Sequence, residues 1–254
     1  MNLHANTFSI VAHCPLTGQL GIAISTAIPG VGGICPFICS NIGAVSTQSW
    51  VNPYLAFEIL DMLKSGATAN SALEQAISTD DDREQRQLGV VDASGRSIAW
   101  TGAECTPWAG QIVRPGLAIQ GNMLIGENTL IAMETTFSKS TEGLSERLMC
   151  ALEAGQIAGG DMRGKQSAAL KVYASEEYPL IDLRVDEHAE PVKELRRVLA
   201  VARTQLAPFI AGMPGRLEKR YLDQTVKDML LLPPDKRTGD NLGKKLRSRS
   251  GGNK

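Results

Sequence analysis

The chain has 254 residues, 43% of them hydrophobic, which is enough to bury one sizeable core, and its formal net charge is only −1. That balance argues against nucleic acid or an anionic membrane surface as partner. No window approaches the roughly 18 apolar residues of a membrane span, and the first residues lack a basic-then-apolar signal pattern, so a cytoplasmic protein acting on a small molecule is expected.

From Thr7, the alternating, β-branched Thr-Phe-Ser-Ile-Val-Ala predicts a strand; Pro15 to Gly18 supplies a turn, and Gln19 to Ser25 a second strand. Ala27 to Asn41 reads as a Gly/Pro-rich connection, of the kind that lets backbone approach a ligand, before a short strand at Ile42 to Thr47. Pro53 opens a helix running through Lys64 and stopped at Gly66, and Thr68 opens a second that ends at the acidic turn Asp80 to Asp82. Strands return at Gln87 to Asp92, Ser97 to Thr101 and Leu117 to Gln120, read as an antiparallel meander. A second helix pair is predicted over Glu127 to Ser138 and Leu144 to Ala154, then strands at Gln166 to Tyr173 and Leu180 to Val185, then an amphipathic helix from His188 to Leu206. Arg216 to Tyr221 carries a further helical pattern, whereas Leu232-Pro-Pro-Asp and the basic Lys/Arg/Gly/Ser-rich tail from Lys236 predict disorder.

Strands, two helices, strands, two helices, strands, helix is not the β-α alternation of a doubly wound sheet. The order fits an α+β, four-layer αββα sandwich of two antiparallel sheets between helical layers. The expected divisions are an extension at 1–6, the sandwich domain at 7–213, and a C-terminal helical extension with basic tail at 214–254.

Several motifs occur in order: Thr7-Phe-Ser-Ile-Val-Ala, Gly43 to Pro53, Arg86-Gln-Leu-Gly-Val-Val-Asp92, Thr101 to Cys105, Gln120-Gly-Asn122, Gly160 to Ala169 and Leu183 to Asp186. Together they resemble the family known as domain of unknown function 1028, over approximately residues 7 to 203. That resemblance implies the N-terminal-nucleophile (Ntn) hydrolase fold. In that fold a Thr, Ser or Cys heading the first strand attacks an amide carbonyl, and its own freed α-amine, titrating near ~7.7–8, serves as base. Thr7 stands at the matching place. Six residues precede it, so a free amine requires cleavage of the Asn6–Thr7 bond. No lysine occurs before Lys64, which departs from the lysine-assisted threonine of proteasome-type enzymes and argues against peptidase activity.

The candidate catalytic residues are therefore Thr7 and Asn122, the latter as an amide donor to a developing oxyanion, with an αL turn as its alternative reading. Ser25, Thr47, Gln48, Arg86, Glu104, Asp161 and Arg163 are the candidate substrate contacts. Arg163 in Asp-Met-Arg-Gly-Lys offers a planar fork for a carboxylate or ureido oxygen, against the alternative of a structural Asp–Arg pair. No metal or cofactor is expected: Cys35 and Cys39 are the one close cysteine pair and no second Cys/His pair follows, while Gly30, Gly32 and Gly33 lack the spacing and Lys of a phosphate loop. Trp50, Trp100 and Trp108 are too scattered to form a stacking platform for bases.

The expected function is an Ntn-type amidohydrolase acting on a linear C–N bond of a small amide, ureido or acylamino compound, as a homo-oligomer. Two alternatives stand beside it: an Ntn-like fold that binds a metabolite or protein partner without catalysis, and catalysis from another nucleophile such as Ser25 or Cys105.

Overall fold

The computed structural model describes residues 7–237. These part into two compact units, divided between Arg197 and Val198.

The first unit is built on two antiparallel sheets. Strands β1 (Thr7–His13), β2 (Leu20–Thr26), β3 (Pro36–Cys39), β4 (Gly43–Ser49), β5 (Arg86–Asp92), β6 (Ser97–Thr101), β7 (Gly110–Arg114), β8 (Leu117–Asn122), β9 (Ser167–Tyr173) and β10 (Ile181–Val185) divide into a six-stranded sheet, order β10-β9-β2-β1-β8-β7, and a four-stranded sheet, order β3-β4-β5-β6. Helices α1 (Pro53–Lys64) and α2 (Ala69–Ser78) cover the smaller sheet, while α3 (Asn128–Lys139) and α4 (Leu144–Ile157) cover the larger. This is the four-layer αββα arrangement expected from the order of elements.

Period-2 alternation explains the layers. On β1, Phe8, Ile10 and Ala12 face α3 and α4, whereas Thr7, Ser9 and Val11 face the opposite sheet. On β5, Leu88 and Val90 pack with Leu55, Ile59 and Leu73 of α1 and α2, whereas Gln87, Gly89 and Val91 look inward. Local chemistry starts both helices of that pair. Asn52 caps α1 by accepting from the Tyr54 N–H at 3.2 Å ahead of a Pro at the first helical position. Thr68 and Ser71 form a reciprocal capping box on α2.

Several expectations are corrected. The supposed connection from Ala27 to Asn41 contains β3, a four-residue edge strand that opens with Pro36, where a missing N–H is tolerated. The meander is two hairpins in different sheets: β5 pairs with β6 in the small sheet, and the chain then crosses to the large sheet, where the unforeseen β7 pairs with β8. Arg216 to Tyr221 is not helical; Leu217 and Tyr221 are almost wholly exposed there, so no buried face repays the cost of nucleating a turn.

Helix α5 (Pro191–Gln205) follows β10. Near its start, Arg196 reaches both Glu146 and Glu153 of α4 with two-pronged hydrogen bonds of 2.7–2.8 Å, which push its already high pKa further up. In the second unit α6 (Ala207–Ala211) and α7 (Gln224–Leu230) follow, and the Arg237 guanidinium donates to the carbonyls of Leu230 and Leu232 at the end of α7. Leu232 to Lys236, where disorder was expected, instead closes in a 3-10 turn at Pro234–Lys236; the rest of the basic tail, from residue 238 on, lies outside the described residues.

Candidate functional site

The layer between the sheets changes character along its length. Toward the His13 end of β1 it is apolar: Val11, Leu20, Ile22, Ala44, Val91 and Ala118 form one buried cluster. Toward the Thr7 end the same inward positions are polar, with Thr7, Ser9, Thr26, Ser46, Gln48, Gln87, Gln120 and Asn122 all buried. Buried polar groups are costly unless paired, and these pair chiefly with one another.

Thr7 heads β1 between two neighbours, opposite Thr26 of β2 and Asn122 of β8. Its hydroxyl donates to the Thr26 hydroxyl at 3.1 Å, and its carbonyl accepts from Gln48 Nε2 at 3.2 Å. That amide nitrogen also reaches Gln87 Oε1 at 2.8 Å and the Gln120 carbonyl at 3.4 Å, while Gln48 Oε1 accepts from Ser9 Oγ at 2.6 Å. Ser9 in turn accepts from Ser46 Oγ and from Gln120 Nε2. Asn122 Nδ2 donates to Gln87 Oε1 at 2.9 Å, and Gln87 Nε2 ties the Gly110 and Gly121 carbonyls to the Thr101 hydroxyl. Every side chain in this chain of bonds is uncharged.

The charged candidates sit outside that layer. The Asp161 carboxylate, almost wholly buried, accepts from the N–H of Ala27, the residue after Thr26, at 3.1 Å and from the N–H and guanidinium of Arg163. Asp161 also bridges to Leu124, two residues beyond Asn122, so it fastens the ends of both strands that flank Thr7. Arg86 donates to Asp80 at 2.7 and 3.3 Å, to Asp82 at 3.2 Å and to the Trp50 carbonyl at 3.1 Å, which holds the loops around it together. The same bonds hold the Asp80 carboxyl below the usual carboxylate range and raise the Arg86 pKa.

Among the residues singled out from the sequence, the structure brings Thr7, Gln48 and Asn122 into one network, with Asp161 and Arg163 at the adjoining strand ends. Ser25 and Thr47 lie, by alternation, on the helix-facing sides of their strands; Ser25 donates to the Ser167 carbonyl at 3.3 Å and Thr47 to the Asn52 carbonyl at 3.5 Å. Glu104 is exposed in the loop after β6, its N–H donating to the Glu84 carbonyl. Cys105 beside it is buried, its thiol donating to the Arg86 carbonyl, and burial raises its pKa away from the thiolate. Asn122 is an extended strand residue; the positive φ that its turn reading required falls on Met123 instead.

The model of a family of unknown function, DUF1028, matches residues 7–195. The chain belongs to the DUF1028 family. A crystal structure of protein SPO2555 from Silicibacter pomeroyi, described as DUF1028, aligns with this DUF1028 chain at a TM-score of 0.80 and 32% identity, covering 86% of this chain and 96% of that one. Anbu (ancestral beta-subunit) from Yersinia bercovieri aligns at a TM-score of 0.38 and 13% identity, covering 82% and 98%. No curated protein matches.

Sequence reasoning about this DUF1028 chain passed over Ser9, Gln87 and Gln120 as site residues. A signal was present: polar residues two apart at one end of otherwise apolar strands, Thr7 and Ser9, Ser46 and Gln48, Gln120 and Asn122. The sequence expectation of a ligand-lining Gly-rich loop has another physical reading. A Cβ at Gly32 would strike the Arg184 stem and Ala169, and one at Gly33 would crowd the Arg184 guanidinium. The glycines there make room for an arginine of β10. No helix among the described residues is long and apolar enough to cross a membrane.

Proposed function

We propose that this DUF1028 protein is an Ntn-type amidohydrolase, with Thr7 as nucleophile, acting on a linear C–N bond of a small amide, ureido or acylamino compound. The observation that carries the reading is the position of Thr7: it heads a central strand of an αββα sandwich, between Thr26 and Asn122, with its hydroxyl oriented by a hydrogen bond to Thr26. Cleavage of the Asn6–Thr7 peptide bond frees an α-amine. The neutral amine takes the hydroxyl proton as Oγ1 forms a bond to the carbonyl carbon. The C–N bond then breaks, the departing nitrogen takes that proton, and water hydrolyses the resulting ester to restore threonine. The buried amides of Gln48, Gln87 and Asn122 support the reading by holding the threonine end of three strands in register without a competing charge. Asp161 and Arg163, at the neighbouring strand ends, would hold a polar substrate group.

A second reading rests on one observation: Thr7 is only 1% exposed. Buried and acylated by Asn6, it would be a strand residue in a fold that binds a metabolite or partner without catalysis. Intact-mass measurement with N-terminal sequencing of the protein from its own host separates the two. A chain starting at Thr7 is expected, together with loss of small-amide hydrolysis in a folded Thr7→Ala variant. A uniformly uncut chain, or equal turnover by Thr7→Ala, would remove the nucleophile assignment.

A further inference from the structure

The opposite end of the sandwich carries an open surface pocket, unrelated to the Thr7 chemistry. β1 runs about 20 Å from Thr7 to His13 at ~3.3 Å per residue. Beyond His13, the β5–β6 turn of one sheet meets the β7–β8 turn of the other: the Gly116 N–H donates to the Gly95 carbonyl at 2.7 Å, the His13 N–H donates to the Gly116 carbonyl, and the Leu117 N–H donates to Ser97 Oγ. A cavity of about 430 Å³ opens on these cross-tied turns, lined by Asn70, Gly95, Arg96, Ser97, Arg114 and Pro115 among others. That volume lies within the range of small-molecule sites.

Its ionisable lining is two arginines, each fixed in place by one edge. Buried Asp92 accepts backbone N–H bonds from Ala69, Ser94 and Arg96, and takes only Nε of the Arg96 guanidinium, at 2.7 Å. Among the described residues no protein acceptor engages the two Nη groups of Arg96, whose side chain is half exposed. Arg114 is held in the same way, Nε on Glu134 at 2.6 Å and Nη1 on the Val113 carbonyl, which leaves Nη2. Asn70, in the first turn of the ten-residue α2, brings the positive end of that helix to the same wall. Guanidinium forks anchored through Nε lose little freedom when their Nη edges bind, which is the preorganisation that oxyanion recognition needs.

We propose that this cavity is a second ligand site that takes the carboxylate or phosphate group of a small metabolite, with Arg96 and Arg114 as its anion-binding residues. The test is calorimetric titration of the full chain with inorganic phosphate and, separately, with malonate, sodium chloride being used to hold ionic strength constant so that general screening is matched. Saturable one-site binding of at least one probe is expected, and which probe binds tells phosphate from carboxylate. Arg114→Gln, which leaves the Asp92 network intact, should weaken binding about tenfold, as loss of a charge-assisted hydrogen bond does. Arg96→Gln should weaken it at least as much. If Arg96→Gln fails to fold, Asn70→Asp provides a second variant, expected to weaken binding by adding a negative charge to the wall. Heats that never saturate with either probe, or affinity unchanged in folded Arg114→Gln and Asn70→Asp, would overturn the proposal.

Discussion

A β-carbon at position 89 would lie inside van der Waals contact of all three heavy atoms of the Gln120 amide group. Glycine in a strand interior carries an entropic cost and packs nothing, so its presence in β5 needs a reason. The reason is the opposing side chain: Gln120 of β8, held by its bond to Ser9 on the neighbouring strand of its own sheet, projects across the interior and occupies the volume a side chain at 89 would fill. Gly89→Ala is expected to destabilise the protein by about 1–3 kcal/mol through overpacking, measured by urea unfolding. Because the clash is with one residue, Gly89→Ala combined with Gln120→Ala should cost less than the sum of the two single changes. Strict additivity would show that something other than Gln120 sets the limit at this position.

At the scale of elements, Arg86 at the start of β5 holds the turn after α2 through Asp80 and Asp82, and the segment before α1 through the Trp50 carbonyl. Its own carbonyl receives the Gly102 N–H and the Cys105 thiol from the loop after β6. The Asp80 pKa is lowered, chiefly by the hydrogen bond from Arg86. A depressed folded-state pKa contributes stability that is fully present above the unfolded carboxylate value, ~3.9, and is lost as pH falls through the lower folded value. Urea midpoints of wild type and Asp80→Asn should therefore differ most near neutral pH and converge below about pH 4. A gap that stays constant on acidification would refute the assignment. Elements like α1 were legible because chemistry local to the chain decides them: Pro53 starts the helix and Gly66, at positive φ, follows its end. β3 and β7 were not legible, since each is short, opens on an interrupting residue, Pro36 or Gly110, and is held as a strand by the edge of its neighbour. The candidate site divides in the same way. Thr7, Gln48 and Asn122 were found from their places in motifs, whereas Gln87 and Gln120 read as ordinary strand polars until two sheets are stacked face to face. Arg86 stood out as a charge beside a strand, but its partners on the turn after α2 are visible only in three dimensions.

The first unit, taken as a whole, is thus a sandwich whose filling is apolar at one end and hydrogen-bonded amide at the other. A partly satisfied polar layer is a poorer source of stability than an apolar one, and one acceptor here, Gln120 Oε1, has no partner among the described residues. The two glutamines that span the layer therefore stand in different positions. Gln48 accepts from Ser9 and directs its nitrogen to Thr7, Gln87 and Gln120, so removing its amide leaves the Ser9 hydroxyl and the Thr7 carbonyl without the partner each now has. Gln120 contributes one side-chain bond, to Ser9, and carries the unpaired oxygen. Substitution by unbranched methionine keeps the volume in both cases while deleting the polar atoms. Gln48→Met is expected to cost about 1–3 kcal/mol by urea unfolding, the penalty of orphaned buried groups, and Gln120→Met to change stability by less than about 1 kcal/mol because a lost bond is offset by a removed unsatisfied acceptor. The reverse order would mean that Gln120, not Gln48, is the member on which the others depend. If the order holds and small-amide turnover nonetheless falls in Gln120→Met, the polar end of the layer is retained for the chemistry at Thr7 rather than for the fold.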